Sequence, residues 1–397
     1  MRILFLHPNF PGQFREPAGY MAKLGHEVIF LCQTHYGRQL AGVKRVTLKQ
    51  SLSHEALEAK ELPHFEKTLA QADQYRCAFK QLKHQGFNPD VIISHTGWGC
   101  GMHSSLIWPG AKRVAYLEWW FAAYSELLVN NEQSNQWLKF DETSKLKFRE
   151  RNLPLSLELN EASIIVTPTR WQRKQLPTSL QQHCQVIPDG VDLKRFHPDI
   201  NNKSERPLLT YGTRGMEAMR RFPEFILELP KLLSAEPQLE VEIAGQDSIF
   251  YGGKPPSNGS WGNWAKEQLS TWIDQGRVRM VGTLKAEKYQ AWLQKSWIHV
   301  YLTRPFVVSW SLCEAMASGC CLVVSDIEPI REFTQKDSAL HINEMHKNTF
   351  TKAVASLLGD EAKRKTLGEA ARLRASYFSI SNSHKQWRQL LDEELTT

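Results

Sequence analysis

The sequence predicts an α/β protein of two tandem domains, each built around a parallel sheet. Three observations predict it. Short apolar runs alternate with longer amphipathic stretches along nearly all of the 397 residues, the pattern of repeated β-α-β units. The alternation breaks once, at the polar, proline-containing stretch 194–207, and then restarts, as expected of a boundary between domains. At roughly 150 residues per domain, the length calls for two or three cores.

The elements follow in order. Arg2 to His7 is an apolar β run that stops in a loop at Pro8 to Gly12. A helix over Phe14 to Leu24 closes at Gly25 in the manner of a C-cap, and Glu27 to Leu31 is the second strand;. Residues 53–86 read as helical. Strands at Asp90–Ser94 and Arg113–Leu117 end at His95 and Glu118. A helical and linker stretch over 121–161 precedes a strand at 163–167, and Cys184–Ile187 runs into a turn at Asp189-Gly190. Beyond 207 come a strand at 208–212, a helix at 222–234, a strand at 239–244 and a Gly/Pro/Ser-rich loop at 251–263. A helix, a strand at 278–281, a helix, a strand at 298–302, a helix near 312–318 and a strand at 321–324 complete the pattern, and the last 50 residues are helical in composition.

Composition narrows the class. With 42% hydrophobic and 23% charged residues the chain is neither disordered nor fibrous;. No apolar run approaches the ~18 residues of a membrane span. The apolar start, Ile3 to Leu6, is too short for a secretory signal, so a cytoplasmic location is expected;. Seven scattered cysteines without a Cys-x-x-Cys favour reduced thiols over disulfides or a zinc site;. The 49 Lys+Arg against 42 Asp+Glu give +7 and favour anionic partners;. The basic residues are dispersed and match no nucleic-acid-binding signature;.

In open α/β sheets ligands bind beyond the carboxyl ends of the strands, so the residues that follow strands carry the candidates. After the first strand one glycine, Gly12, stands where a dinucleotide fingerprint needs three, and no Gly-Lys-Ser/Thr occurs;. Dinucleotide and P-loop chemistry are thereby set aside. The densest segment is Arg304–Ser325. A strand ends there, Ser309-Trp310-Ser311 makes a turn, and a helix is expected to begin near Leu312 with Glu314 in its first turn. A helix N-terminus suits a diphosphate, and the carboxylate suits a ribose diol. The same residues fit a plain N-cap and a dipole partner equally well. His95 fits a site residue or a structural histidine. Glu118, beside Trp119 and Trp120, fits a ligand contact with aromatic stacking or a salt-bridged rim, and Trp98 joins it as a candidate.

The 304–325 segment resembles the nucleotide-sugar signature of retaining GT-B glycosyltransferases, specifically family 4 (group 1), Glu-Gly-Phe-Gly-Leu-Pro-x-x-Glu-Ala-Met-Ala-x-Gly. The second glutamate of that signature falls on Glu314 and the first on Phe306, a departure from the pattern. Gly25–Val28 resembles the family's first βαβ joint, Val186–Pro198 its interdomain signature, and Tyr211–Arg221 its diphosphate-clamping loop. The resemblance implies a GT-B fold, two Rossmann-like parallel-sheet domains facing a central cleft. Residues 1–198 would form the acceptor side, 199–380 the nucleotide-sugar domain, and 381–397 a helix packing back on the first domain. It implies catalytic roles for His95, Arg214 and Arg220, donor contacts from Gly12, Arg214, Arg220, Arg221, Ser309, Trp310, Ser311, Leu312 and Glu314, and acceptor-side contacts from Glu118 and Trp98. Within that set Arg214 is the firmer diphosphate ligand, while Arg220 and Arg221 compete for the second place and one of them is expected at the surface.

The implied activity is transfer of a hexosyl-type sugar, with retention, from a UDP- or GDP-sugar to a hydroxyl of a saccharide or lipid-linked acceptor, as in polysaccharide biosynthesis. No cofactor and no metal are expected, because two cations can neutralise a leaving diphosphate and no Asp-x-Asp pair is present. A GT-B epimerase or phosphorylase, or a non-catalytic sugar-nucleotide-binding scaffold, is the alternative. Nucleic acid is not an expected partner. Peripheral contact with an anionic membrane is, on the +7 charge and on Trp98, Trp108, Trp119, Trp120 and Trp137;.

Overall fold

The computed structural model describes residues 1–48, 64–129, 136–256, 259–343 and 349–394. The start of the helical expectation at 53–86, two residues of the 251–263 loop and the last residues of the 381–397 helix lie outside them. The chain divides into two compact units, Met1–Leu128 with Asp141–Gly190 and Ile380–Thr397, and Val129–Phe140 with Val191–Ser379.

The first unit holds seven parallel strands: β1 (Arg2–Leu6), β2 (Glu27–Cys32), β3 (Val43–Thr47), β4 (Val91–His95), β5 (Lys112–Tyr116), β6 (Ile164–Thr167) and β7 (Cys184–Val186). Their order is β3-β2-β1-β4-β5-β6-β7. Alternate residues of β1 feed two cores. Ile3 and Phe5 pack with Phe14, Phe30, Trp387 and Leu390 on one face. Leu4 and Leu6 pack with Tyr75, Phe79 and Trp108 on the other. Both faces being covered, the strand reads as a continuous apolar run. Trp387 and Leu390 belong to the C-terminal helix Ile380–Glu394, and His384 of that helix stacks on Tyr20 at 4.1 Å. The edge strand β3, Val-Lys-Arg-Val-Thr, was not expected. It has no buried residue, and basic side chains are typical of a protected edge;.

The second unit holds six parallel strands: β8 (Leu208–Gly215), β9 (Glu240–Gln246), β10 (Val278–Gly282), β11 (Ile298–Tyr301), β12 (Cys321–Ser325) and β13 (Leu340–Ile342), in the order β10-β9-β8-β11-β12-β13. Strand β13 is three residues long and carries no pattern to read. All seven cysteines are free.

The division falls at Gly190/Val191 and not at 198. Val191 and Phe196 are buried in the second unit's core, and Arg372 donates to the carbonyls of Leu193 and Phe196. The second unit also takes in Val129–Phe140, which the sequence placed in the first domain. There the Trp137 ring lies 5.6 Å from Trp261 and 5.8 Å from Trp264, and Leu138 is buried.

In each sheet the first strand lies beside the fourth, β1 by β4 and β8 by β11. Strand order reverses at these two places, so the loops leaving the carboxyl ends part and open a crevice. The candidate residues gather at these two points.

Candidate active site

In the first unit His7 directly follows β1 and His95 ends β4. Their buried rings stand edge to face, 4.8 Å apart. The Asn9 amide donates to His7 Nδ1 at 2.8 Å, so the ring proton sits on Nε2, which donates to Gln13 Oε1 at 2.8 Å;. Gln13 Nε2 donates in turn to Glu118 Oε2 at 3.3 Å. Burial, reinforced by His95, pushes the His7 pKa down to about 3, which keeps the ring neutral and the chain of donors one-directional;.

His95 contacts Thr96 O through Nδ1 at 3.0 Å; a carbonyl only accepts, so Nδ1 bears the proton. Its buried Nε2 makes no hydrogen bond and lies 3.6 Å from Glu118 Oε2. With the proton on Nδ1, Nε2 faces the carboxylate as a second acceptor, an arrangement that suits a hydrogen-bond donor;.

Gly12 explains itself sterically. Its φ is +49°, and a Cβ there would sit 2.7 Å from His7 Cε1 and Nε2;. Glu118 is 39% exposed and half-way between the two expectations, a rim carboxylate that is also tied to His95 and Gln13. Trp98 is an exposed loop residue outside this chain of hydrogen bonds. Trp119 stacks against Trp171 at 5.3 Å, a packing role. The interdomain signature supplies Asp189, which accepts from the Tyr116 hydroxyl at 2.6 Å. His7 and Gln13 were missed, although His7 directly follows the first strand and Gln13 lies in the short turn Gly12–Phe14 after it.

In the second unit β8 runs on to Gly215, so Arg214 belongs to the strand's end and not to the loop after it. It is exposed, with its guanidinium 4.1 Å from the Phe250 ring centre. Arg220 is buried. Its Nη1 donates to Thr303 Oγ1 at 2.9 Å and to Val307 O at 3.1 Å, and it lies 5.7 Å from the Tyr251 ring. The expectation that Arg220 or Arg221 reaches the surface is corrected: Arg221 is half-buried. The turn Ala218–Arg220 ends with Arg221 at φ +51°, and its charge bears on Arg304. Buried Arg304 pairs with Glu224 at 2.5 Å and donates to Ala218 O at 3.1 Å, pinning that turn to the end of β11. Burial lowers its pKa to about 10, so it stays charged.

The helix after β11 is Trp310–Ala317, two residues longer at its start than expected. Ser309 is its N-cap. The Ser309 amide donates to the Tyr301 hydroxyl at 2.8 Å, the Ser311 amide to Ser309 Oγ at 3.4 Å and the Leu312 amide to Ser309 O at 3.1 Å. An anion would have to compete with the Tyr301 hydroxyl, the Ser309 cap and the Ser309 carbonyl to use these amides;. Trp310 is exposed, Ser309 and Ser311 are half-buried and Leu312 is buried. Glu314 therefore falls in the second turn and not the first. It is half-buried; burial raises its pKa, opposed by the Tyr289 hydroxyl and the Arg195 charge. Phe306, at the position of the signature's first glutamate, packs on Tyr251 with ring centres 5.0 Å apart. Glu217, Phe250 and Tyr251 were missed. Buried Glu217 Oε2 accepts the amides of Phe250 at 2.8 Å and Tyr251 at 2.7 Å, a pairing between distant segments that no local pattern signals. Among the described residues no three His, Cys, Asp or Glu side chains are grouped to hold a metal ion.

No curated protein matches the sequence. Solved structures similar over the whole chain include the following three. Sucrose-phosphate synthase from Thermosynechococcus elongatus has a TM-score of 0.74 at 16% identity, covering 100% of both chains. Anabaena HepE in complex with UDP and glucose has a TM-score of 0.69 at 13% identity, covering 99% of this chain and 100% of that one. A glycosyltransferase from Rickettsia africae has a TM-score of 0.69 at 14% identity, covering 100% and 99%. These likenesses establish the GT-B fold of two Rossmann-like parallel-sheet domains. The chain matches the Glycosyl transferase family 4 group over residues 24–196 and the Glycosyl transferases group 1 over residues 194–374. With the two matches running end to end, the chain belongs to the group 1 glycosyltransferases and is a glycosyltransferase.

Proposed function

We propose that the enzyme moves a hexosyl sugar from a UDP- or GDP-sugar to a hydroxyl of a saccharide or lipid-linked acceptor, with retention and without a metal. The observation that carries this reading is the pair Arg214 and Arg220 at the strand-order reversal of the second sheet, with Arg220 buried and held by Thr303 and Val307. Two cations favour a leaving diphosphate as its charge develops. A UDP-sugar is the first donor to try, since HepE is described with UDP-glucose.

In the proposed step the bond from the anomeric carbon to the diphosphate oxygen breaks as the acceptor oxygen bonds to the same face. The acceptor proton passes to the departing phosphate. Arg214 and Arg220 stabilise that phosphate, Glu314 orients the ribose, and His95 with Glu118 holds a sugar hydroxyl. A panel of UDP- and GDP-sugars, each offered with saccharide and lipid-linked acceptors, tests this by release of the nucleoside diphosphate. Release from at least one donor is expected, and it should persist in excess EDTA. Loss of turnover in chelator would refute the metal-free step, and no release from any donor would refute the transfer. Phe306, packed on Tyr251 in place of the signature's glutamate, is the feature that supports a second reading as an epimerase or phosphorylase. Epimerised or phosphorolysed donor in the same assay would identify it.

If Glu314 accepts the ribose hydroxyls, Glu314→Gln should weaken UDP or GDP binding by about 1.5 to 3 kcal/mol, the range for hydrogen bonds to a charged group. Calorimetry showing unchanged affinity in a folded variant would refute that role.

Peripheral membrane contact is also part of the proposal. Among the described residues no helix is long and apolar enough to cross a membrane. The helix Glu142–Glu150 has no buried residue and exposes Lys145, Leu146, Lys147 and Arg149. Each basic group near an anionic surface is worth about 1 kcal/mol and is screened within a Debye length. The protein should pellet with acidic-lipid vesicles at low salt and be released at high salt; absence of pelleting at low salt would contradict it.

A further inference from the structure

We propose that Glu217 is a positioning residue for the anion site, one carboxylate oxygen holding the loop whose two aromatic rings carry Arg214 and Arg220. The inference rests on the diphosphate reading of those arginines.

Glu217 is 1% exposed, and its Oε2 takes two consecutive amides, Phe250 N at 2.8 Å and Tyr251 N at 2.7 Å. Each of the two residues fixed in this way lies under a different arginine. The Arg214 guanidinium is 4.1 Å from the Phe250 ring centre, and that of Arg220 is 5.7 Å from the Tyr251 ring centre. Tyr251 also packs on Phe306, with ring centres 5.0 Å apart.

The loop sits tightly on the turn that bears the arginines. A Cβ on Gly215 would come within 2.5 Å of the Phe250 ring, and one on Gly253 within 2.5 Å of Ala218 Cβ. The far end of the loop is tied by Trp261 Nε1 donating to Gly253 O at 2.8 Å. Arg214 has most need of this support. It is exposed, makes no ion pair among the described residues, and rests on the Phe250 face. A long side chain so laid down loses less freedom when it binds an anion.

Glu217 repels an anion by its own charge and attracts Arg220 and Arg214 directly. The role assigned to it is the one its acceptor oxygen performs, holding the loop, and the two substitutions separate oxygen from charge. Glu217→Gln keeps an oxygen for the two amides, whereas Glu217→Ala orphans both.

The test is calorimetric titration of UDP, or of GDP in its place if the wild type binds no UDP, into the intact wild type, Arg214→Ala, Glu217→Ala and Glu217→Gln, with thermal midpoints for each. Glu217→Ala should weaken UDP binding about tenfold, Glu217→Gln should stay within about twofold of wild type, and the cost of Glu217→Ala should shrink in an Arg214→Ala background, the coupling expected of residues acting as a unit. If Glu217→Ala does not fold, Phe250→Leu replaces it and should weaken UDP about threefold, again only when Arg214 is present. Wild-type affinity in Glu217→Ala, or in Phe250→Leu where that is used, while Arg214→Ala is impaired overturns the positioning role alone. Equal losses in the alanine and glutamine variants overturn it too, by showing that the charge matters. A wild type that binds no UDP or GDP, or an unimpaired Arg214→Ala, overturns the diphosphate reading and this inference with it.

Discussion

Arg220→Ala should lower turnover by about a hundredfold to a thousandfold, the cost of removing one preorganised donor from a site of developing charge. Donor affinity should fall far less, because the negative charge on the departing diphosphate is greater in the transition state than in the bound sugar nucleotide. The size of the effect follows from burial. Arg220 is held by Thr303 Oγ1 and Val307 O before any ligand arrives, so it need not reorganise during the step. Arg214 ranks first from sequence, but it is exposed and its charge is screened by water, so Arg214→Ala should cost less;. Separate measurement of kcat and KM checks both. A raised KM with unchanged kcat would mean that Arg220 binds ground and transition states alike.

Gly12→Ala should destabilise the fold by about 2 to 4 kcal/mol, strain at a positive φ adding to overpacking. The new Cβ would lie 2.7 Å from the His7 ring. That ring cannot move aside freely, since it is buried between Phe14 and His95 and hydrogen-bonded at both nitrogens. Displacing it breaks the chain from His7 through Gln13 to Glu118, so turnover should fall with stability. Denaturant midpoints and kcat on the variant test this. A stability within about 0.5 kcal/mol of wild type, the usual scatter of a harmless surface change, would contradict the steric argument.

Strands covered on both faces were legible. β1, β2, β4, β8, β11 and β12 appear as apolar runs because each faces two cores;. β3 was hidden because an edge strand carries Lys44 and Arg45, and β13 because three residues hold no period. His95 and Arg214 could be found as strand ends, and Gly12 as the loop glycine after β1. The second arginine could not be chosen, since that depends on the left-handed turn at Arg221 which leaves Arg220 buried. The residues that hold the site in place were out of reach for a different reason. Glu217 meets Phe250 and Tyr251 only once β8 and β9 lie side by side, and Trp137 meets Trp261 only after the chain returns from the first unit to the second.

A crystal structure of the enzyme with UDP bound would locate the diphosphate directly. Its oxygens are predicted at the guanidinium groups of Arg214 and Arg220, beyond the ends of β8 and β11, with the ribose hydroxyls on Glu314. UDP ordered away from all three side chains would contradict the donor site described here.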